Sequence, residues 1–138
     1  MAKAKPFKGY EGETPIPKPE KPVQPNVVTV QDGMGVKYSD CDGVGVRVVH
    51  PSNPKAPSKN MSMVMFYLPP HAELKPGSHY VEECYAVLRG QGTMTLAGKE
   101  VKVRPGMFIH LPAWCEHGVE NTGDEMLEIL ISTAPPNP

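Results

Sequence analysis

Two short stretches of the chain carry side chains that bind metals. One is His79-x-x-x-Glu83; the other, about thirty residues on, is Pro112-x-Trp114-x-x-His117-x-x-x-Asn121. Two imidazoles and one carboxylate are ligands for zinc or a divalent transition metal, and a set of three leaves coordination positions for water or substrate. The chemistry this offers is recognition or reaction of a small molecule at a metal. It requires His79, Glu83 and His117 to converge although they lie far apart in the chain, so the intervening elements must bring them to one cavity.

Those elements read almost wholly as β. Short runs of β-branched and aromatic residues alternate with Gly, Pro, Asn and Asp. The candidate strands are Val27 to Val30, Val36 to Tyr38, Val44 to Val49, Ser62 to Leu68, Cys84 to Leu88, Thr93 to Leu96, Glu100 to Val103, Met107 to Leu111, Gly118 to Glu120 and Met126 to Ile131. Asp32-Gly33, Asp42-Gly43, Arg89-Gly90, Ala97-Gly98, Pro105-Gly106 and Thr122-Gly123 supply the turns between them. Many short strands at this spacing predict a sandwich or closed barrel, because a single open sheet would leave its edges unpaired. The segment Pro51 to Asn60 is the one long loop, either a lid at a barrel mouth or a plain surface connection.

The ends differ from the middle. Residues 1–26 are rich in lysine and proline, which forbids helix and favours an extended arm. Such an arm is either a disordered leader or a strap across a neighbouring subunit. Residues 27–133 form the β domain, and 134–138, with three prolines, are expected to fray as a flexible tail. A chain of 138 residues allows one domain. With 14 Lys plus Arg against 15 Asp plus Glu, its formal charge of -1 gives no reason to expect nucleic acid or a membrane as partner, and points to a small molecule. Cys41, Cys84 and Cys115 form no C-x-x-C pair and their number is odd, which suits a reducing, cytoplasmic location. No apolar run reaches the roughly 18 residues of a membrane span.

The two metal-ligand stretches, with the glycines around them, resemble the two conserved motifs of the cupin superfamily. In the first motif His79, Glu83 and Gly90 stand at the family's intervals; in the second, Gly106, Pro112, His117 and Asn121 do. The resemblance implies a double-stranded β-helix, a jelly-roll barrel, around a divalent metal. Iron(II) or zinc is favoured, with manganese or nickel as further candidates. Three positions depart from the pattern. His71 stands where the family has its opening glycine, Gly77 where it has its first metal histidine, and Trp114 where the second motif has glycine. One of the usual four protein ligands is therefore missing. His71 would reach the site only through a sharp reversal at Lys75-Pro76-Gly77.

Further residues take roles around this centre. Strand parity turns Tyr85 inward beside Glu83, as a proton donor or as a core tyrosine. Glu83 would ligate the metal or swing off as a base, which makes Glu83 and Tyr85 the candidate catalytic pair. Met63, Met65, Trp114 and Arg47 are candidate pocket residues, Arg47 because a guanidinium matches a carboxylate. Strand 62–68 is apolar on both faces, as if buried on both, one of them against a partner in a homodimer. Cys115 is read as a small hydrophobe, and His50 and His110 as structural. Two classes of function follow: a small metal-dependent enzyme of lyase, isomerase, decarboxylase or dioxygenase type, acting on a small polar or carboxylate molecule; or a non-catalytic module, a degenerate cupin that only binds a small ligand.

Overall fold

The computed structural model describes residues 1–138. Ten strands follow one another: β1 (Met34–Lys37), β2 (Val44–Val49), β3 (Ser62–Leu68), β4 (Glu73–Gly77), β5 (Glu82–Arg89), β6 (Gly92–Leu96), β7 (Lys99–Val103), β8 (Phe108–Leu111), β9 (His117–Glu120) and β10 (Leu127–Ala134). There is no α-helix, and no helix long and apolar enough to cross a membrane. Every pairing is antiparallel. They make a six-stranded sheet in the order β1-β2-β3-β10-β5-β8 and a four-stranded sheet in the order β4-β9-β6-β7.

The alternation of side chains explains why the sheets face each other. In β3, Ser62, Val64, Phe66 and Leu68 are buried while Met63, Met65 and Tyr67 are only partly so. In β10, Leu127, Ile129, Ile131 and Thr133 follow the same rule. With a side-chain period of two, each strand commits one face to the interior. Phe66, Leu68, Leu127 and Ile129 of one sheet meet Met94, Val103 and Val119 of the other in a single cluster. Each such fully buried side chain contributes about 1.5–3 kcal/mol.

Two strand expectations are corrected. Val27 to Val30 is not a strand: the chain enters the domain through a single 3₁₀ turn at Val30–Asp32, closed by the Thr29 amide donating to Asp32 Oδ2 at 2.9 Å. Strand β4 is absent from the candidate strands of the sequence, and Pro76 lies within it. It is an edge strand of its sheet, and Pro76 falls at the irregularity between Leu74 and Gly77 in its pairing with β9, where the ladder asks no N–H of it. The turn Ala97-Gly98 is read correctly, and its chemistry is visible: both residues have positive φ, 48° and 82°, the two-residue turn whose twist matches the strands β6 and β7 it joins. The loop 51–60 is a packed connection, with Asn53 buried and its amide donating to the Val48 carbonyl at 2.7 Å. Residues 1–26 contain neither helix nor strand and lie exposed.

An apolar row crosses the outer face of the six-stranded sheet. Val46, Met65, Leu130, Ala86 and Phe108 are successive cross-strand neighbours, and Phe108 is 75% exposed.

Candidate functional site

At one end of the core the sheets part around a cavity of about 380 Å³. His79, Glu83 and His117 line it, and their ligand atoms all lie within 4.8 Å of one another. Different elements deliver them. Glu83 sits on β5 between Thr133 of β10 and Leu111 of β8, so a hydrogen-bonded neighbour holds its backbone on each side. His117 opens β9 in the other sheet, opposite Gly77 of β4 and Leu96 of β6. His79 lies on the connection from β4 to β5, and the Trp114 amide donates to its carbonyl at 2.7 Å. One residue next to His117 explains how closely β4 approaches: a Cβ on Gly118 would lie 2.7 Å from the Pro76 nitrogen and 2.9 Å from the Leu74 oxygen.

The hydrogen bonds of the two imidazoles decide what the cluster can hold. His79 Nδ1 lies 3.1 Å from the Val81 carbonyl oxygen, and His117 Nδ1 lies 2.9 Å from that of Cys115. A carbonyl only accepts, so each Nδ1 carries the hydrogen, and in the neutral ring each Nε2 presents its lone pair. Those lone pairs face Glu83: His79 Nε2 is 2.8 Å from Oε1, and His117 Nε2 is 3.8 Å from Oε2. Glu83 is 4% exposed and His117 7%. A buried carboxylate and two imidazole lone pairs turned on one another repel unless a positive charge lies among them. Two atoms bound to one ion at about 2.1 Å lie roughly 3–3.5 Å apart, close to the separations seen here. The second-atom carbonyl bond that fixes tautomer and ring orientation is also the usual support of a metal-binding histidine. The donor set therefore fits a divalent metal.

Tyr85 enters the same cavity from β5, two residues beyond Glu83, and its ring packs edge-on against that of His117 with centroids 5.7 Å apart. Burial, and then the Glu83 carboxylate, push its phenol well above the usual tyrosine range, so it remains a neutral O–H. Arg47 lines the cavity from β2. Its guanidinium Nη2 donates to the main-chain oxygen of Pro138.

Three expected pocket residues lie elsewhere. Met63 and Met65 alternate with the buried residues of β3 and so face outward, away from the cavity. Their apolar character belongs to the outer face of the sheet. The Trp114 indole is 66% exposed and does not line the cavity either; that residue acts through its backbone amide. His71 is exposed and outside the cluster. His110 pairs with Glu82 on the surface at 2.5 Å.

Other cavity residues escaped the sequence. Tyr38 lines it, its ring lying where a Cβ on Gly45 would come within 2.4 Å of the phenol oxygen. Asn137 and Pro138 line it too. Of residues 134–138, expected to fray, Ala134 closes β10 and Asn137 and Pro138 reach the cavity, where the Asn137 amide donates to Glu83 Oε1 at 3.3 Å. The composition of that tail masks this, since contact across 54 residues of chain leaves no local signal.

The backbone also explains the departures from the motif glycines. His71 and Trp114, the two residues standing where glycine is expected, both have positive φ, 67° and 66°. These are left-handed positions that favour glycine, and the present side chains tolerate them at a local cost. Gly90 keeps its glycine with φ 84°, and a Cβ there would lie 2.6 Å from the Met126 oxygen. Asn121, the last residue of the second stretch, is a clamp. It is fully buried, its amide donates to the Leu68 and Glu125 carbonyls at 2.7 and 2.8 Å, and its oxygen accepts from the Gly123 amide at 2.9 Å.

Comparison with known proteins agrees with this fold. The chain is 32% identical over 101 residues to the uncharacterized protein MJ1618 of Methanocaldococcus jannaschii, covering 72% of this chain and 79% of that one. It is 28% identical over 118 residues to the HTH-type transcriptional regulator PuuR of Escherichia coli, covering 85% of this chain but only 61% of PuuR. Its fold is similar to that of the polyketide cyclase RemF of Streptomyces resistomycificus, with TM-score 0.70, 19% identity, and coverage of 81% of this chain and 80% of RemF. The family model described as "Cupin domain" matches residues 64–133, the span that holds all three converging ligands and both motif stretches. The chain thus belongs to the cupin family.

Proposed function

We propose that this cupin holds a divalent metal through His79, Glu83 and His117 and acts as a small metal-dependent enzyme on a small polar or carboxylate molecule. One observation carries the reading: both imidazoles spend Nδ1 on a backbone carbonyl and turn Nε2 on a buried carboxylate. A bound iron(II) or zinc would supply a Lewis acid or an activated water at the positions that three protein ligands leave open. The chain's own residues do the rest. Phe66, Val64 and Ile131 give the cavity an apolar wall, the neutral Tyr85 O–H is available to a substrate oxygen, and Arg47 offers a guanidinium to a carboxylate. The volume of about 380 Å³ suits a small metabolite and no polymer. RemF, a cyclase on a similar fold, lends the enzyme class support by analogy.

Metal analysis of the purified protein tests this, with Glu83→Ala and His117→Ala as comparisons. Stoichiometric metal in the wild type, lost in both variants while their folds persist, is the expected result. A wild type that takes up no metal under any loading would overturn it. Similarity to PuuR favours a second reading, a ligand-binding module without turnover. Consumption of a bound small molecule by the metal-loaded protein separates the two.

Assembly and location complete the proposal. The apolar row from Val46 to Phe108 on the outer sheet face suits a homodimer, with residues 1–26 as an arm reaching across the partner. Three free cysteines suit the reducing cytoplasm.

A further inference from the structure

The last residues of the chain are bound in the cavity as a ligand would be. Arg47 donates to the main-chain oxygen of Pro138. Asn137 places its side-chain N–H on Glu83 Oε1 at 3.3 Å. The Asn137 carbonyl lies 2.5 Å from His50 Nε2. That last contact has a defined polarity: His50 Nδ1 accepts from the Ser52 amide at 3.0 Å, so Nε2 carries the hydrogen and donates. The cavity thus shows one cation aimed at an oxygen and, across it, a carboxylate accepting from an N–H, with the two partners supplied by adjacent residues.

We propose that Asn137 and Pro138 occupy the place of the substrate, that this substrate is a small carboxylate carrying a hydroxyl or amine near its acid group, and that it binds by displacing them. The proposal rests on the metal-dependent reading above for its chemistry, but the competition itself needs no metal. A guanidinium can hold a free carboxylate through two parallel hydrogen bonds, whereas Pro138 meets Arg47 through one oxygen. A donor on the neighbouring atom of the ligand takes over the Asn137 contact with Glu83. The tail's hold is weak by construction, because a few hydrogen bonds are offset by the entropy of ordering residues 135–138. If the tail covers the cavity about nine-tenths of the time, the ligand's apparent affinity falls about tenfold.

Lactate, a carboxylate with a neighbouring hydroxyl, is a suitable probe, and lactamide is its uncharged control; calorimetric titration is run on metal-free and zinc-loaded protein. A variant lacking residues 135–138 ends at the last residue of β10, and is expected to bind lactate about tenfold more tightly than the full chain, with lactamide bound more weakly than lactate in both. Arg47→Met in the shortened chain should abolish the gain. Should the shortened chain fold poorly, Asn137→Asp in the full chain sets a second carboxylate against Glu83, expels the tail, and is expected to give the same gain. Equal lactate affinity in full-length protein and in whichever of these variants folds would overturn the competition. An unchanged gain in Arg47→Met would overturn the carboxylate subsite. Zinc binding, titrated separately, reports on the metal reading, so failure of either idea is visible without the other.

Discussion

A histidine at position 77 should convert the three-ligand cluster into four. Gly77 of β4 is the cross-strand partner of His117, and directly opposed residues of an antiparallel pair send their side chains to the same face, with Cβ atoms about 4.5–5.5 Å apart. A Cβ on Gly77 would meet nothing within 4 Å, and its φ lies outside the left-handed region, so Gly77→His introduces no clash and no strain. Zinc held by four protein ligands is bound with about 10–16 kcal/mol, or about 3 kcal/mol per ligand. Ordering the new side chain and losing a bound water take back about 1–1.5 kcal/mol. The remaining gain of about 1.5–2 kcal/mol corresponds to a roughly 10- to 30-fold lower zinc dissociation constant. Competition against a chromogenic chelator measures it. His117→Ala in both backgrounds closes a double-mutant cycle, in which a coupling above about 1 kcal/mol is expected. A folded Gly77→His protein binding zinc no more tightly than wild type would refute the reasoning, since position 77 would not then face a metal centre.

Three other perturbations test the local physics. Asn121→Ala strips three hydrogen bonds from a fully buried position and leaves the Leu68 and Glu125 carbonyls short of a donor; a loss of about 3 kcal/mol is expected, seen as a melting temperature lower by roughly 10 °C or more. Trp114→Gly relieves a left-handed backbone at little cost in burial, since the indole is 66% exposed; denaturant titration should find it more stable by about 0.5–1 kcal/mol, and a destabilised variant would show that the indole contributes packing. Burial, with Glu83 adding to it, raises the Tyr85 phenol in the fold, whereas the unfolded chain ionises near pH 10. Above that pH the unfolded state sheds a proton that the folded state keeps, so stability is full below about pH 10 and falls as pH rises, by up to about 1.4 kcal/mol per pH unit for this group. Denaturant titrations of chelator-treated protein from pH 9 to 11 should show a shallower fall in Tyr85→Phe, and parallel curves would sink the argument.

Much of the site was legible because its signals are local. Imidazoles and a carboxylate at motif spacing, strand parity that turns Glu83 and Tyr85 the same way, and glycine at tight turns are properties of neighbours along the chain. Strands β2 and β3 were read to the residue for the same reason, since their alternation or apolar runs are bounded by clear breakers. The errors share an opposite cause. Met63 and Met65 sit on a strand apolar on both sides, and parity separates two faces without saying which is the cavity. Strand β4 contains a proline that an edge strand with an irregular pairing permits, and both are properties of the assembled sheet.

Residue types and intervals by themselves determined the all-β architecture and the candidate ligands His79, Glu83 and His117, and the resemblance to the cupin motifs marked the missing histidine at Gly77. The tertiary structure alone decided that both imidazoles turn Nε2 on one carboxylate, that Trp114 contributes its amide and not its ring, and that Asn137 and Pro138 lie in the cavity beside Arg47. Strand periodicity is written residue by residue into the chain, whereas contacts between elements distant in sequence exist only once the two sheets have closed on each other.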